Sequence, residues 1–260
     1  MRTAVLVCDD ALTIAQRSLD LLLGQAMLAI RLRGEAHLAL TGGSSAVVLF
    51  EALRNEPRAQ RVDWTRVHVW PGDERFVPTD DRESNWGMAL REWLDHPDGP
   101  GIPDANRHPV PVDEAIAEGR DAAWAAARYA AEIEARLPRR DGLPAFDVIL
   151  LGVGTDGHIL SAFPDTAPVT ASGGTAMSVA APTHIGSRLP RVTLVPVLLI
   201  AAGLIAVMVP GAAKRETIIA CFGPVYEPTR LPAQLALRPN GVWLLDRSCA
   251  TGWLVERPVG

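Results

Sequence analysis

FDVILLGVGTDGH, residues 146–158, decides the fold. Its first half is an unbroken apolar run, Val148-Ile149-Leu150-Leu151, with no polar residue alternating into it. That is the pattern of a strand buried on both faces, as in a parallel sheet covered by helices. Its second half turns glycine-rich, with Gly152, Gly154 and Gly157 bracketing Asp156 and His158. A buried strand that ends in a glycine turn carrying polar side chains is one unit of an α/β fold, and such folds bind ligands at the carboxyl ends of their strands.

The same unit recurs in both directions from this stretch. AHLALT (36–41) reads as a buried strand, GGSS follows, and SAVVLFEAL continues as a helix. VHVW (67–70) reads as a strand leading into PGDER, and SNWGMALREWL (84–94) as a helix. Toward the C-terminus, LIAVMV (204–209) and VWLLD (242–246) read as strands, each preceding a helical segment. Near the N-terminus, Leu12, Ala15, Leu19, Leu22, Leu23, Ala26, Met27 and Ile30 recur at three- and four-residue steps. They predict an amphipathic helix opened by Asp9 or Asp10 and closed by Gly34. The polar stretch from Pro97 to Pro111 is a surface connection, and Ala115 to Leu137 reads as one helix running through Gly119. Strands alternating with helices predict a mainly parallel sheet with helices on both faces, Rossmann-like. No break divides the chain, so residues 1–260 are expected to form a single α/β domain.

The bulk composition narrows the function classes. Of the 260 residues, 48% are hydrophobic and 21% charged, ordinary for a folded enzyme. A formal net charge of −5 favours neither nucleic acid nor an acidic membrane as partner. Cys8, Cys221 and Cys249 form no CxxC pair, so reduced thiols in a cytoplasmic protein are expected. MRTAVLVCDD is too short in its apolar part for a signal peptide. The most apolar run, Val192 to Pro210, is cut by Pro196 and Gly203 and reads as strand, helix and strand; no membrane segment is expected.

The polar motifs fall at predicted strand ends. In TGGSS (41–45), Gly42 and Gly43 allow close backbone approach, and helix-start amides with Ser44 suit a phosphate or sugar oxygens. The same residues also fit a tight turn with Ser44 as helix cap. In GDERFVP (72–78), Asp73, Glu74 and Arg75 need partners or solvent beside a buried strand, either as a solvated ion pair or with one acid holding a loop while Arg75 faces a pocket. Asn85 suits a helix cap or a bond to a substrate hydroxyl. In GVGTDGH, Gly157 leaves room for a ligand, and Asp156, two residues before His158, is placed to orient it. An imidazole with an ordinary pKa of about 6.5 can take a proton from water at neutral pH. His37, His68, His96, His108 and His184 lack such surroundings and read as structural or exposed. Arg191 precedes an apolar run, and Lys214 stands at a helix start after a strand, a natural phosphate position. No Cys, His and carboxylate cluster has metal-ligand spacing, and there is no GxSxG nucleophile elbow. The chemistry expected is attack by water with a protein base, without metal or cofactor.

These blocks together resemble a known family. TGGSS, WPGDERFVP with SNWGMA, FDVILLGVGTDGH with FP, RVTL, GAAK, and PAQLALRP with WLLD are similar, in that order, to the 6-phosphogluconolactonase family over about residues 36–250. The resemblance implies a fold shared with glucosamine-6-phosphate deaminases, no cofactor, and hydrolysis of a phosphorylated sugar lactone in the oxidative pentose phosphate pathway by a monomer or small homo-oligomer. It implies that His158 is the base and that Arg75, Arg191 and Lys214 hold the anionic substrate. The chain departs from the family pattern over Ile159–Phe163, at Ser44-Ser45-Ala46 where Ser-Thr-Pro is common, and over 170–187, which lacks the usual Lys-Pro-Pro form. Two other activities remain open. A deaminase would carry a glutamate five residues after the histidine, where this chain has Phe163; a sugar-phosphate sensor would need the cations but not the base.

Overall fold

The structure is a computed structural model and describes residues 3–250. Among the described residues there are eleven strands: β1 (Ala4–Cys8), β2 (Ala36–Leu40), β3 (Val67–Pro71), β4 (Asp73–Arg75), β5 (Arg139–Arg140), β6 (Leu143–Pro144), β7 (Val148–Gly152), β8 (Ala176–Val179), β9 (Arg191–Leu194), β10 (Leu204–Val209) and β11 (Gly241–Asp246). The α-helices are α1 (Ala11–Arg33), α2 (Ser44–Asn55), α3 (Asn85–Ala89), α4 (Val112–Ala117), α5 (Ala122–Arg136), α6 (Ala167–Thr170) and α7 (Arg215–Cys221).

Six strands make one wholly parallel sheet in the order β1-β11-β10-β7-β2-β3. The stretch 146–158 supplies its centre: β7 lies between β2 and β10, with Val148 opposite both Leu38 and Leu204. Hydrophobic cores form on both faces. One packs α1 and α2 against Leu38, Leu40, Val148, Leu150 and Met208; the other packs α5 against Ile149, Leu151, Ile205 and Val207. Successive β7 residues thus point to opposite cores, which is why that strand shows no polar alternation.

α1 starts where Asp10 accepts from the Thr13 amide at 2.8 Å and ends at Gly34, whose φ of +90° is left-handed. The helix expected across Ala115–Leu137 is instead two. Gly119 takes φ +64°, the chain turns, and Asp121 restarts it by accepting from the Trp124 amide at 3.0 Å. A new N-cap and a left-handed glycine outweigh the alanine-rich propensity around them. The helix read over 84–94 forms as α3 and then widens into a π-turn over Leu90–Leu94. MRTAVLVCDD, read above only as a failed leader, supplies the edge strand β1. Beyond VWLLD, residues 247–250 are turn, and the rest of the helical segment read there lies outside the described residues.

A second sheet, β4-β9-β8, is antiparallel; the strand read at the start of Val192–Pro210 is its β9, while β4 and β8, three and four residues long, are too short to show alternation. It is joined to the main sheet through Gly72, whose amide donates to the Leu40 carbonyl and whose carbonyl accepts from Leu194. GDER is therefore a strand of its own, not a loop after one. Among the described residues no helix is long and apolar enough to cross a membrane.

Candidate active site

The three central strands β2, β7 and β10 release their loops side by side at their carboxyl ends. A cleft of about 210 Å³ opens there, walled by Thr41–Ser45, Gly152–Gly154, His158, Leu160 and Lys214 from those loops and by Asp73, Arg75, Asn85 and Arg191 from the second sheet and its neighbour α3.

His158 is fixed from behind. Its Nδ1 faces Asp156 Oδ1 at 2.5 Å, its own amide donates to the same oxygen at 3.2 Å, and its ring leans on Phe163 at 4.6 Å between centroids. A carboxylate only accepts, so the proton is on Nδ1 and the Nε2 lone pair is left for the cleft. The loop closes through Gly154, whose amide donates to the His158 carbonyl at 2.9 Å. A Cβ on Gly154 would collide with the imidazole and the Asp156 carboxylate, so only glycine fits. Burial pushes the Asp156 carboxyl up, but its bonds to His158 and His184 outweigh this and hold it well below the usual range.

The cations converge by register. Arg75 on β4 pairs with Arg191 on β9, which places the two guanidinium groups on neighbouring strands at one wall. Arg75 donates from Nη1 to the Glu83 carbonyl at 2.5 Å, Arg191 lies 3.6 Å from Asp73 and over the Phe163 ring, and each keeps a buried Nε without a partner. Burial lowers the Arg191 pKa, and nearby Asp73 opposes the shift. Lys214, between Gly211 and α7, has its pKa lowered by burial, with Cys249 and Asp246 pulling the other way. Three cations against the single cleft carboxylate Asp73 leave a positive surplus. Gly43 is the cap residue of α2 and offers no side chain, so the first amides of that helix have no side-chain acceptor and Ser44 is its first residue, not its cap. Such amides and cations together favour an anion. Asn85 donates to Asp73 at 2.9 Å through its amide nitrogen, while its Oδ1 is buried, unpartnered and set against Gly42.

The structure therefore brings His158, Arg75, Gly42, Gly43, Ser44, Asp73, Asn85, Arg191 and Lys214 into one cleft. Three expected residues do not line it. Asp156 stands behind His158. Gly157 is set back, with φ +83° and its carbonyl accepting from the Ala233 amide at 2.8 Å. Glu74 turns inward and accepts from the amides of Arg75, Asn85 and Trp86 and the Ser84 hydroxyl, all within 3.0 Å. Burial pushes its carboxyl up to about 7 against those four donors, and its work is to hold α3, not substrate. His184, read as structural or exposed, is exposed, and it also has a partner the sequence did not show: its Nε2 lies 2.7 Å from Asp156 Oδ2, a contact 28 residues apart that no local spacing announces. Ser161, unnoticed in the sequence, donates to Asp73 at 2.6 Å, and Leu160 enters the cleft at φ +54°. Among the described residues no group of three or more His, Cys, Asp or Glu is placed to hold a metal ion.

Comparison with known proteins fits this geometry. The family model for glucosamine-6-phosphate isomerases/6-phosphogluconolactonase matches residues 9–245. The chain is 36% identical over 231 residues to a 6-phosphogluconolactonase of Synechocystis sp., covering 84% of this chain and 85% of the relative. It is 34% identical over 251 residues to the 6-phosphogluconolactonase of Mycobacterium tuberculosis, covering 96% and 98%. The solved 6-phosphogluconolactonase of Trypanosoma cruzi superposes with a TM-score of 0.83 at 23% identity, covering 96% of each chain. With the match spanning nearly every element from α1 to β11, the chain belongs to the glucosamine-6-phosphate isomerase/6-phosphogluconolactonase family.

Proposed function

We propose that this protein hydrolyses 6-phospho-D-glucono-1,5-lactone to 6-phospho-D-gluconate, with His158 as general base, in the cytoplasm and as a step of the oxidative pentose phosphate pathway. The observation that carries the reading is the cleft itself: an imidazole aimed by Asp156 faces a pocket whose walls hold Arg75, Arg191 and Lys214. Arg191 and Lys214 hold the phosphate, with the α2 amides and Ser44 on the sugar oxygens and Asn85 Oδ1 accepting from a hydroxyl. Neutral His158 takes a proton from water as its oxygen attacks C1. Arg75 and the glycine-loop amides stabilise the oxyanion. The imidazolium, steadied by Asp156, returns the proton to the ring oxygen as the C1–O bond breaks, and the acid product ionises. No step uses a cofactor or a metal. Every residue invoked comes from one chain, so a monomer or a small homo-oligomer would serve.

The deaminase reading is less well supported. Moving protons between C1 and C2 of an amino sugar needs further acid and base groups, and the position five residues after His158 holds buried Phe163. A sensor would not need an imidazole held by a carboxylate. The test is direct. Purified protein is mixed with freshly prepared 6-phospho-glucono-δ-lactone and acid release is followed. A rate well above the spontaneous one is expected; a rate equal to it, with glucosamine 6-phosphate deaminated instead, would overturn the assignment.

A further inference from the structure

Asp156 has two carboxylate oxygens, and a histidine occupies each: His158 Nδ1 on Oδ1 at 2.5 Å and His184 Nε2 on Oδ2 at 2.7 Å. The two rings also share Phe163, which His158 meets at 4.6 Å and His184 edge-on at 5.7 Å. His184 comes from the loop between β8 and β9, does not line the cleft, and is half-exposed. It therefore meets His158 only indirectly, by a hydrogen bond to Asp156 and by ring contact through Phe163.

We infer that His184 is a positioning residue that sets, through the shared carboxylate of Asp156, the pH at which His158 can act as base. This rests on the assignment of His158 as the base. The physical reason is that one negative charge is divided between two imidazoles. Whichever ring takes a proton first draws on the carboxylate and makes the second protonation harder, so the pair titrates as a coupled unit. Protonated His184 thus keeps His158 neutral at a pH where an unshared carboxylate would have protonated it. The other charges facing this group are the cleft cations Arg75, Arg191 and Lys214, with Asp73 bound to Arg191. They act on His158 equally with or without His184. Among the described residues only the two histidines pair with Asp156. Neutral His184 must also present Nε2–H to Oδ2, so it fixes the carboxylate's rotation and with it the direction of the His158 ring.

The experiment compares wild type, His184→Ala and His184→Gln by pH profiles of kcat and by NMR titration of the His158 ring protons without substrate. In His184→Ala the acid limb of kcat and the His158 titration both move to higher pH. The activity loss is about two- to tenfold near pH 6 and small near pH 8.5, with KM unchanged. His184→Gln, whose amide can donate to the same oxygen but cannot charge, restores kcat near pH 8 while leaving the limb shifted. An unmoved His158 titration in His184→Ala would overturn the inference, as would a loss equal at all pH values or one confined to KM. Because the titration needs no substrate, its outcome is separable from any failure of the lactonase reading.

Discussion

Two groups of histidines stand toward opposite ends of the parallel sheet, and their surroundings give them opposite chemistry. At the carboxyl ends, His158 and His184 share one carboxylate and remain open to the cleft or to water. Near the amino ends, His37 and His68 stand at paired register on β2 and β3, stacked with centroids 4.7 Å apart. His68 Nδ1 lies 2.9 Å from His108 Nε2, and Trp70 stacks on His108 at 3.9 Å and donates to His37 Nδ1. Two carboxylates border this stack: Glu35 lies 3.2 Å from His37 Nε2 and 3.7 Å from His68 Nε2, and Glu132 lies 2.7 Å from His108 Nδ1. Protonating it would set cations face to face inside the core, and burial with the neighbouring histidines lowers His68 to about 4. Burial likewise lowers His37. Whether a histidine can cycle a proton is thus decided by where its carboxylate is and whether water reaches the ring, not by the number of acids nearby.

The strongest way to break this comparison is to remove the cleft imidazole. His158→Ala should lower kcat by about 10²–10⁴, the usual worth of a general base, with KM little changed because the phosphate is held elsewhere. The acid limb of the rate should vanish with it. Steady-state kinetics on the phosphorylated lactone at several pH values measures both, and a well-folded variant with near-normal kcat would refute the role. The buried stack offers the contrast, since the loss of a ring there should change stability before it changes kcat.

Lys214→Ala sharpens the cleft side with a smaller effect. Hydrogen bonds to charged groups contribute about 1.5–3 kcal/mol, so KM for the phosphorylated lactone should rise roughly tenfold to a hundredfold. Glucono-δ-lactone, which lacks the phosphate, should be turned over as before. Burial lowers the Lys214 pKa below the usual 10.5. Its charge, and with it the affinity for the stable product 6-phosphogluconate, should therefore fade as pH rises through a range below that of an exposed lysine. Calorimetric titration of that product between pH 7 and 10 reads the loss directly. Equal KM values in variant and wild type would remove Lys214 from the phosphate site.

Much of this arrangement was legible in the sequence, for identifiable reasons. The parallel sheet announces itself because β7 and β10 are unbroken apolar runs and β2 is one but for His37, and the loops after them carry glycines that have no use in a strand. Nine cleft residues were found because they lie within those loops or just after a short motif. What escaped depends on register and distance. Glu74 and Arg75 are adjacent in sequence, and only the pairing of β4 with β9 shows that Arg75 joins Arg191 while Glu74 turns to the Ser84 hydroxyl and the Asn85 and Trp86 amides. His184 reaches Asp156 across 28 residues, and Leu160 reaches the cleft through a left-handed backbone that its residue type disfavours.

The smallest expected effect tests the buried half of the comparison. His68 has a folded-state pKa of about 4, below the usual 6.5, so between those values the unfolded chain binds the proton that the folded one refuses. Its contribution to stability is complete above pH 6.5 and is lost as pH falls toward 4. Glu74 works in the opposite sense. Its carboxyl is raised to about 7, so its contribution is present below about 4.5 and is lost as pH rises through 7. The two partly cancel between pH 4.5 and 6.5, and the wild-type curve alone would hide both. A difference measurement separates them. His68→Leu removes one titrating ring and leaves Glu74 and His37 in place. It breaks the bond to His108 and costs stability at every pH, so the readout is the slope, not the level. Urea unfolding of both proteins at pH 4.5, 5.5 and 7 should show the variant losing about 1–2 kcal/mol less than wild type over that interval, which is less than so large a fall in pKa would give if His68 were fully enclosed. Parallel slopes would mean that His68 takes a proton as readily in the folded chain as in the unfolded one, and the buried half of the contrast would fail.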